Sequence, residues 1–212
     1  NVFAEKEMYH PEIFDMDEGY ITGYFACQKY YDDIMDDLKK IYVFPEHPDS
    51  MLHARNMALV EKMHRETSVS VHIRRGDYLD PPNFAILGNI ATEEYYDAAM
   101  KYFLDKDPDT HFYIFTGDHE YAREHYSDES RYTIIDWNTG KNSTQDLMLM
   151  SNCKGNICAN STFSFWGARL NGRTDRELVR TFKMRNNQPV TPKIMHDYWK
   201  GWVLIDEKGN II

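Results

Sequence analysis

Val69-Ser70-Val71-His72-Ile73-Arg74-Arg75-Gly76-Asp77-Tyr78 is the stretch on which the reading of this chain turns. Alternation along an extended strand puts Val69, Val71 and Ile73 on one face and Ser70, His72 and Arg74 on the other, with Arg75 pointing away from Arg74. Gly76 permits a sharp exit from the strand. A histidine and an arginine side by side at a strand's exit suit a ligand with a base and a phosphate, because guanidinium donates two parallel, charge-assisted hydrogen bonds to phosphate oxygens. The same residues could serve structure alone: one arginine can pair with Asp77 or a neighbouring carboxylate, and His72 can be a hydrogen-bonded histidine within a sheet. Arg75-Gly76-Asp77 also matches an adhesion tripeptide, but its place against a sheet rather than on a loop tip argues against that use.

Outward from this strand, extended and helical patterns alternate. Strands are expected near 69–73, 111–116, 132–135, 156–159 and 178–182, separated by helices near 93–105, 119–126, 143–151 and 163–171. That order predicts an α/β fold with a Rossmann-like parallel sheet covered on both faces. Thr92 can cap the first of these helices, whose buried stripe is Tyr96, Ala99, Met100 and Phe103. In such sheets ligands sit beyond the carboxyl ends of the strands, so chemistry is sought just after each one.

Gly155-Asn156-Ile157-Cys158-Ala159 runs as a short apolar strand through Asn160-Ser161-Thr162 into the helical Phe163-Ser164-Phe165-Trp166-Gly167-Ala168. Free backbone N–H groups at such a helix start form an anion site, reinforced here by the hydroxyls of Ser161 and Thr162. Ordinary N-capping calls for the same residue types. Two anion-suited features at two strand ends carry more weight together than either alone.

Three acidic positions stand out. Asp146, on the helix before this strand, could accept hydrogen bonds from the N1–H and exocyclic amine of guanine, or serve as an ordinary helix N-terminal charge. Asp118 follows the strand at 111–116, where a turn role is the simpler reading. Asp15-Met16-Asp17 resembles a metal clamp of some sugar-transfer enzymes, but lies in an acidic, strandless stretch, so no metal is expected there. Asn142-Ser143-Thr144 and Asn160-Ser161-Thr162 fit the N-glycosylation pattern without other signs of secretion.

Before residue 65 the pattern differs. A helix with Tyr31, Ile34, Leu38 and Ile41 on one stripe is expected, ended by Pro45 and Pro48, then a second from about Ser50 to Arg65. A boundary near residue 65 would separate segment 1–65 from segment 66–212.

Composition bounds the function. With 212 residues, 42% of them hydrophobic, the chain can bury a core, and no run approaches the roughly 18 apolar residues of a membrane span. Its formal net charge of -10 opposes nucleic acid and anionic membranes, so an anionic ligand needs a local cation cluster. Cys27, Cys153 and Cys158 are too few and too irregular for a disulfide framework, which fits a reducing, cytoplasmic setting. The chain opens on Asn1 rather than Met, so an upstream part is expected.

His72-Ile73-Arg74-Arg75-Gly76-Asp77-Tyr78 resembles the His-x-Arg-Arg-x-Asp signature of α1,2-, α1,6- and protein O-fucosyltransferases. Asp146 to Ser151 and Ala159 to Ala168 resemble the α1,2-fucosyltransferase family, glycosyltransferase family 11, in its bacterial form. Gly23-Tyr24-Phe25 before a Tyr-rich helix fits the same family, and the likeness spans about residues 19 to 172. The resemblance implies a two-domain glycosyltransferase B fold. Segment 66–212 would be its GDP-sugar-binding, C-terminal half, and 1–65 a remnant of the acceptor-side domain with connecting helices.

Carried over residue by residue, the resemblance implies that Arg74 binds the β-phosphate and that His72 and Asp146 contact guanine. Ser161, Thr162 and Phe163, with Asn160 in the same turn, would line the diphosphate and nucleoside. It further implies inverting transfer of fucose from GDP-fucose to a galactose 2-hydroxyl of a glycan, with no metal and no other cofactor. Asp77 is the nearest candidate for the general base, and a base from another part of the protein is equally open. Two alternatives stay open beside this reading: transfer from another GDP-sugar, or a GDP-binding fragment without activity. Family members begin with a Gly-Gly-Leu-Gly-Asn-Gln-Met-Phe-type segment that this chain does not contain, so the acceptor, like the oligomeric state, is left open.

Overall fold

The strand that holds His72 is buried along its whole length, Ser68–Ile73, as a central strand of a parallel sheet should be when helices cover both faces. The structure, a computed structural model, describes residues 2–6 and 8–212. In chain order its elements are β1 (Val2–Ala4), β2 (Tyr20–Thr22), α1 (Met35–Ile41), α2 (Ser50–Arg65), β3 (Ser68–Ile73), α3 (Pro81–Leu87), α4 (Glu93–Leu104) and β4 (His111–Thr116). They continue as α5 (His119–His125), β5 (Tyr132–Ile135), α6 (Thr144–Ser151), β6 (Gly155–Cys158), α7 (Thr162–Arg169), β7 (Glu177–Thr181), α8 (Pro192–Tyr198) and β8 (Trp202–Ile205).

Six strands form one all-parallel sheet in the order β5-β4-β3-β6-β7-β8, so the fold is α/β and Rossmann-like as expected. Val69, Val71 and Ile73 face α4, whose Tyr95, Tyr96, Ala99, Met100 and Phe103 are buried against them, with Ala122 of α5 in the same cluster. The other face is covered in two parts. Val60 and Met63 of α2 join Leu149 and Met150 of α6 over Tyr113 and Phe115. Phe165 and Ala168 of α7 join Met195 and Trp199 over Leu178 and Leu204. Thr92 caps α4 as expected, its Oγ1 accepting from Tyr95 N–H at 3.2 Å.

Glycine sets the distance between two of these layers. A Cβ on Gly155 would lie 2.5 Å from the Phe103 ring, so the absence of a side chain lets α4 rest directly on β6. A Cβ on Gly167 would meet Met150 Sδ at 2.8 Å, which fixes the approach of α7 to α6.

The N-terminal part departs from expectation. The stripe of Tyr31, Ile34, Leu38 and Ile41 is not one buried helix face: 3-10 turns at Gln28–Tyr30 and Asp32–Ile34 precede α1, and Ile34 and Ile41 are exposed. Three residues per turn shifts the phase that a 3.6-residue stripe requires. The anchors are instead Tyr30, Met35 and Gln28, whose Oε1 accepts from Trp202 Nε1–H at 2.6 Å. Elements not anticipated are β1 and β2, which pair in parallel, and α3, α8 and β8. Both of these helices start on proline, which the first helical turn accepts because its N–H groups have no helical partner.

Candidate active site

From β3 the sheet grows one way through β4 and β5; the chain then crosses back and adds β6, β7 and β8 on the other side. The order therefore reverses between β3 and β6, and such a reversal opens a crevice beyond the strands' carboxyl ends. Arg74 follows β3, and Asn160-Ser161-Thr162 follows β6. Both border one cleft of about 530 Å³, as do Asp77 and Phe163. The two sequence features are thus brought together by strand order.

At the β3 exit the chain turns through Gly76 at φ +53°, in the left-handed region that glycine enters at no steric cost. That turn folds Asp77 back onto Arg74, with Nη2 to Oδ1 at 2.6 Å, while Tyr78 places its ring 5.2 Å from the same guanidinium. Arg75 goes elsewhere, its Nε donating to Asp118 Oδ2 at 2.9 Å and its guanidinium lying over the Tyr121 ring. Asp118 also caps α5 by accepting from Tyr121 N–H, and these contacts hold its carboxyl below the usual range. The ion-pair reading of the strand end therefore holds for both arginines, but only Arg74 borders the cleft.

In the β6 turn, Ser161 Oγ accepts from Phe163 N–H at 3.3 Å and caps α7. Thr162, the first residue of that helix, borders the cleft, where first-turn N–H groups lack intrahelical acceptors. Asn160 is engaged differently: its buried amide donates to the carbonyls of Leu87 at 3.1 Å and Met184 at 3.2 Å. It ties the turn to the end of α3 and to the loop after β7. Buried at 3% exposure, it also presents no glycosylation site on the folded surface.

His72 lies outside the main cleft and lines an adjoining hollow of about 450 Å³ with Arg74, Gly76 and Gly117. Burial, and secondarily the Arg74 charge, pushes its pKa down to about 3, so the imidazole is neutral at pH 7. Its ring lies 5.4 Å from that of Phe163, and its buried Nδ1 has no hydrogen-bond partner. A buried polar atom without a partner is costly unless a ligand or water satisfies it.

Asp146 sits in the first turn of α6 and does not line the cleft. Burial pushes its carboxyl up to about 7, against the opposing effect of the Asn138 amide, which donates to Oδ1 at 2.9 Å. Asn138 is held in turn by Asn56 of α2, which also accepts from Trp137 Nε1–H at 2.7 Å. Asp15 ends a 3-10 turn at Pro11–Asp15 and is exposed, as is Asp17. Among the described residues no group of three or more His, Cys, Asp or Glu side chains could hold a metal ion.

Among the further residues that border the cleft are Arg185, from the loop after β7 and without a motif to announce it, and Tyr24 of the Gly23-Tyr24-Phe25 segment. The rule that ligands meet the residues just after each strand would have pointed to Arg185.

Residues 15–206 match the profile of Glycosyl transferase family 11. The chain belongs to glycosyl transferase family 11. This family 11 chain is 34% identical over 134 residues to the O-antigen biosynthesis glycosyltransferase WbnK of Escherichia coli, covering 62% of this chain and 43% of that protein. It is 32% identical over 171 residues to an alpha-1,2-colitosyltransferase of Escherichia coli, covering 78% and 57%. To galactoside alpha-(1,2)-fucosyltransferase 2 of Oryctolagus cuniculus it is 25% identical over 155 residues, covering 72% and 44%. The family 11 chain spans about half the length of the curated relatives it matches. Among its described residues no helix is long and apolar enough to cross a membrane.

Proposed function

We propose that this family 11 chain carries the donor side of an inverting α1,2-glycosyltransferase that moves fucose from GDP-fucose to the 2-hydroxyl of a galactose-terminated glycan. Residues 66–212 form its nucleotide-sugar unit, the C-terminal half of a glycosyltransferase B fold, beside acceptor-side segment 1–65. The observation that carries the reading is that Arg74 and the start of α7, two anion-suited features from separate strands, border one cleft at the sheet's reversal point.

Guanine occupies the β3 side, where the neutral His72 offers an unsatisfied ring nitrogen, and the family resemblance adds Asp146 of α6, outside both hollows, as the acceptor for the N1–H and amine of the base. The diphosphate then crosses the β6 turn, meeting Arg74, the hydroxyls of Ser161 and Thr162, and the free N–H groups of α7. Phe163 packs beside the nucleoside, and Asn160 holds the turn in shape.

Transfer breaks the bond between the fucose anomeric carbon and the β-phosphate oxygen, and the electron pair stays on that oxygen. Arg74 and the helix start stabilise the developing charge, so the step needs no metal. The acceptor oxygen attacks from the opposite face, which inverts the carbon, and its proton goes to Asp77. Phosphate competes with Asp77 for Arg74, so donor binding frees the carboxylate to act as the base.

The test is turnover of GDP-fucose with galactose-terminated acceptors, in the full-length protein and its Arg74→Ala variant. Losing one preorganised donor of this kind costs on the order of 100- to 1,000-fold in rate, and near-normal turnover would remove Arg74 from the mechanism. A second donor sugar is favoured by one observation, the relative named a colitosyltransferase. The phosphate-binding residues do not touch the sugar, so competition between GDP-fucose and other GDP-sugars decides between them.

A further inference from the structure

We infer that Arg185 is a second phosphate-binding residue, placed to hold the terminal, sugar-bearing phosphate of the nucleotide from the side opposite Arg74. The inference rests on the reading of the cleft as a nucleoside diphosphate site. Neighbouring strands lie about 4.8 Å apart, so the carboxyl ends of β3, β6 and β7 form a row of roughly 10 Å. Arg74 stands at one end of that row, the Ser161-Thr162 turn in the middle and the loop carrying Arg185 at the other, all bordering the same cleft. His72 and its hollow lie beyond the Arg74 end. A nucleotide with its base there extends its phosphates across the β6 turn, and the last of them arrives at Arg185.

Arg185 is also held for that task. On one side of it, the Met184 carbonyl accepts from the Asn160 amide at 3.2 Å, which fixes the loop to the anion-binding turn itself. On the other, Asn186 N–H donates to the Ile86 carbonyl at 2.8 Å, and its amide donates to the Gly88 carbonyl at 2.9 Å. A flexible arginine between two fixed neighbours has a backbone already placed before ligand arrives, which lowers the ordering cost of binding.

Its charge is uncommitted. The carboxylates that border the cleft are Asp77, paired with Arg74, and Glu5, which accepts from the N–H groups of Tyr24 and Phe25 at 2.8 and 3.0 Å. Among the described residues Arg185 has no ion pair, and its guanidinium lies 4.7 Å from the centre of the Tyr24 ring. Stacking on a ring face leaves the in-plane N–H groups available for two parallel bonds to a phosphate.

Calorimetric titration with GDP and GMP tests this, using the wild-type chain and Arg185→Ala, Arg185→Lys and Arg74→Ala. Arg185→Ala should weaken GDP on the order of 10- to 100-fold, the worth of a charge-assisted hydrogen-bonded pair, and leave GMP within about twofold. Arg185→Lys should recover part of the GDP loss, and wild-type melting of each variant shows that the fold is intact. GDP binding unchanged in Arg185→Ala but lost in Arg74→Ala would overturn this inference and leave the nucleotide reading standing. Equal losses for GMP and GDP would overturn the placement on the terminal phosphate. No GDP binding by the wild type would overturn the nucleotide reading and this inference with it.

Discussion

Nη2 of Arg74 lies 2.6 Å from Oδ1 of Asp77, and the two side chains, 43% and 51% exposed, make this pair at the edge of the cleft rather than inside it. An ion pair so exposed stabilises a fold by only about 0–1 kcal/mol, so its meaning is sought in function. It keeps a carboxylate and the cation proposed to bind phosphate within three residues of each other, each able to exchange its partner if ligand arrives.

The Asp77→Asn variant separates these roles. It removes the competing negative charge, so GDP affinity should stay the same or rise slightly, and thermal stability should hardly change. Turnover should fall on the order of 100-fold or more, the usual contribution of a general base. Calorimetry beside an initial-rate assay reads both, and an Asp77→Asn enzyme with wild-type turnover would show that the base lies elsewhere.

The proposed contact of Asp146 with guanine would give nucleotide binding a pH dependence of defined sign. Burial raises its folded pKa from 3.8 to about 7, so its contribution to stability is fully present at low pH and is lost as pH rises through that value. The proposed guanine contact needs the ionised form. The affinity for GDP-fucose, whose esterified phosphates do not titrate near neutrality, should therefore rise with pH and level off above about 7. Well below that value it should fall about tenfold per pH unit. Asp146→Asn should bind more weakly and show no such slope, and titrations between pH 5.5 and about 8 compare the two proteins.

Neither of the two close-packed glycines should accept a methyl group without cost. Gly155→Ala drives a methyl into the Phe103 ring, which is confined between α4 and the sheet, and should destabilise by about 1–3 kcal/mol. Gly167→Ala meets Met150 Sδ at 2.8 Å, which can turn aside, but also Met150 Cβ at 2.9 Å, which moves only with α6, and should likewise cost about 1–3 kcal/mol. Urea unfolding monitored by tryptophan fluorescence gives both values.

Much of the sheet is legible because strands buried on both faces read as short apolar runs between clear stops, as in His111–Thr116; the partly buried edge strand Tyr132–Ile135 also forms where expected. The turn after β6 is legible for a similar reason, since a strand meeting polar residues and then a helix is a local pattern. Arg185 is legible only in part: the strand-end rule points to its loop, but that the loop reaches this cleft depends on β7 lying beside β6, a long-range choice that residue order does not encode. Asn160 borders the cleft, and what residue order does not announce is that its amide also donates to carbonyls 73 and 24 residues away in sequence. The helix stripe from Tyr31 to Ile41 misled because 3-10 turns keep the local hydrogen bonding but change the angular step between side chains.

A crystal structure with bound GDP tests the central claim most directly. The account predicts phosphate oxygens about 2.7–3.0 Å from both the Arg74 guanidinium and the first N–H groups of α7, with the base beside His72. GDP bound with its phosphates away from that crevice, or with Arg74 still closed on Asp77 and touching no phosphate, would contradict it.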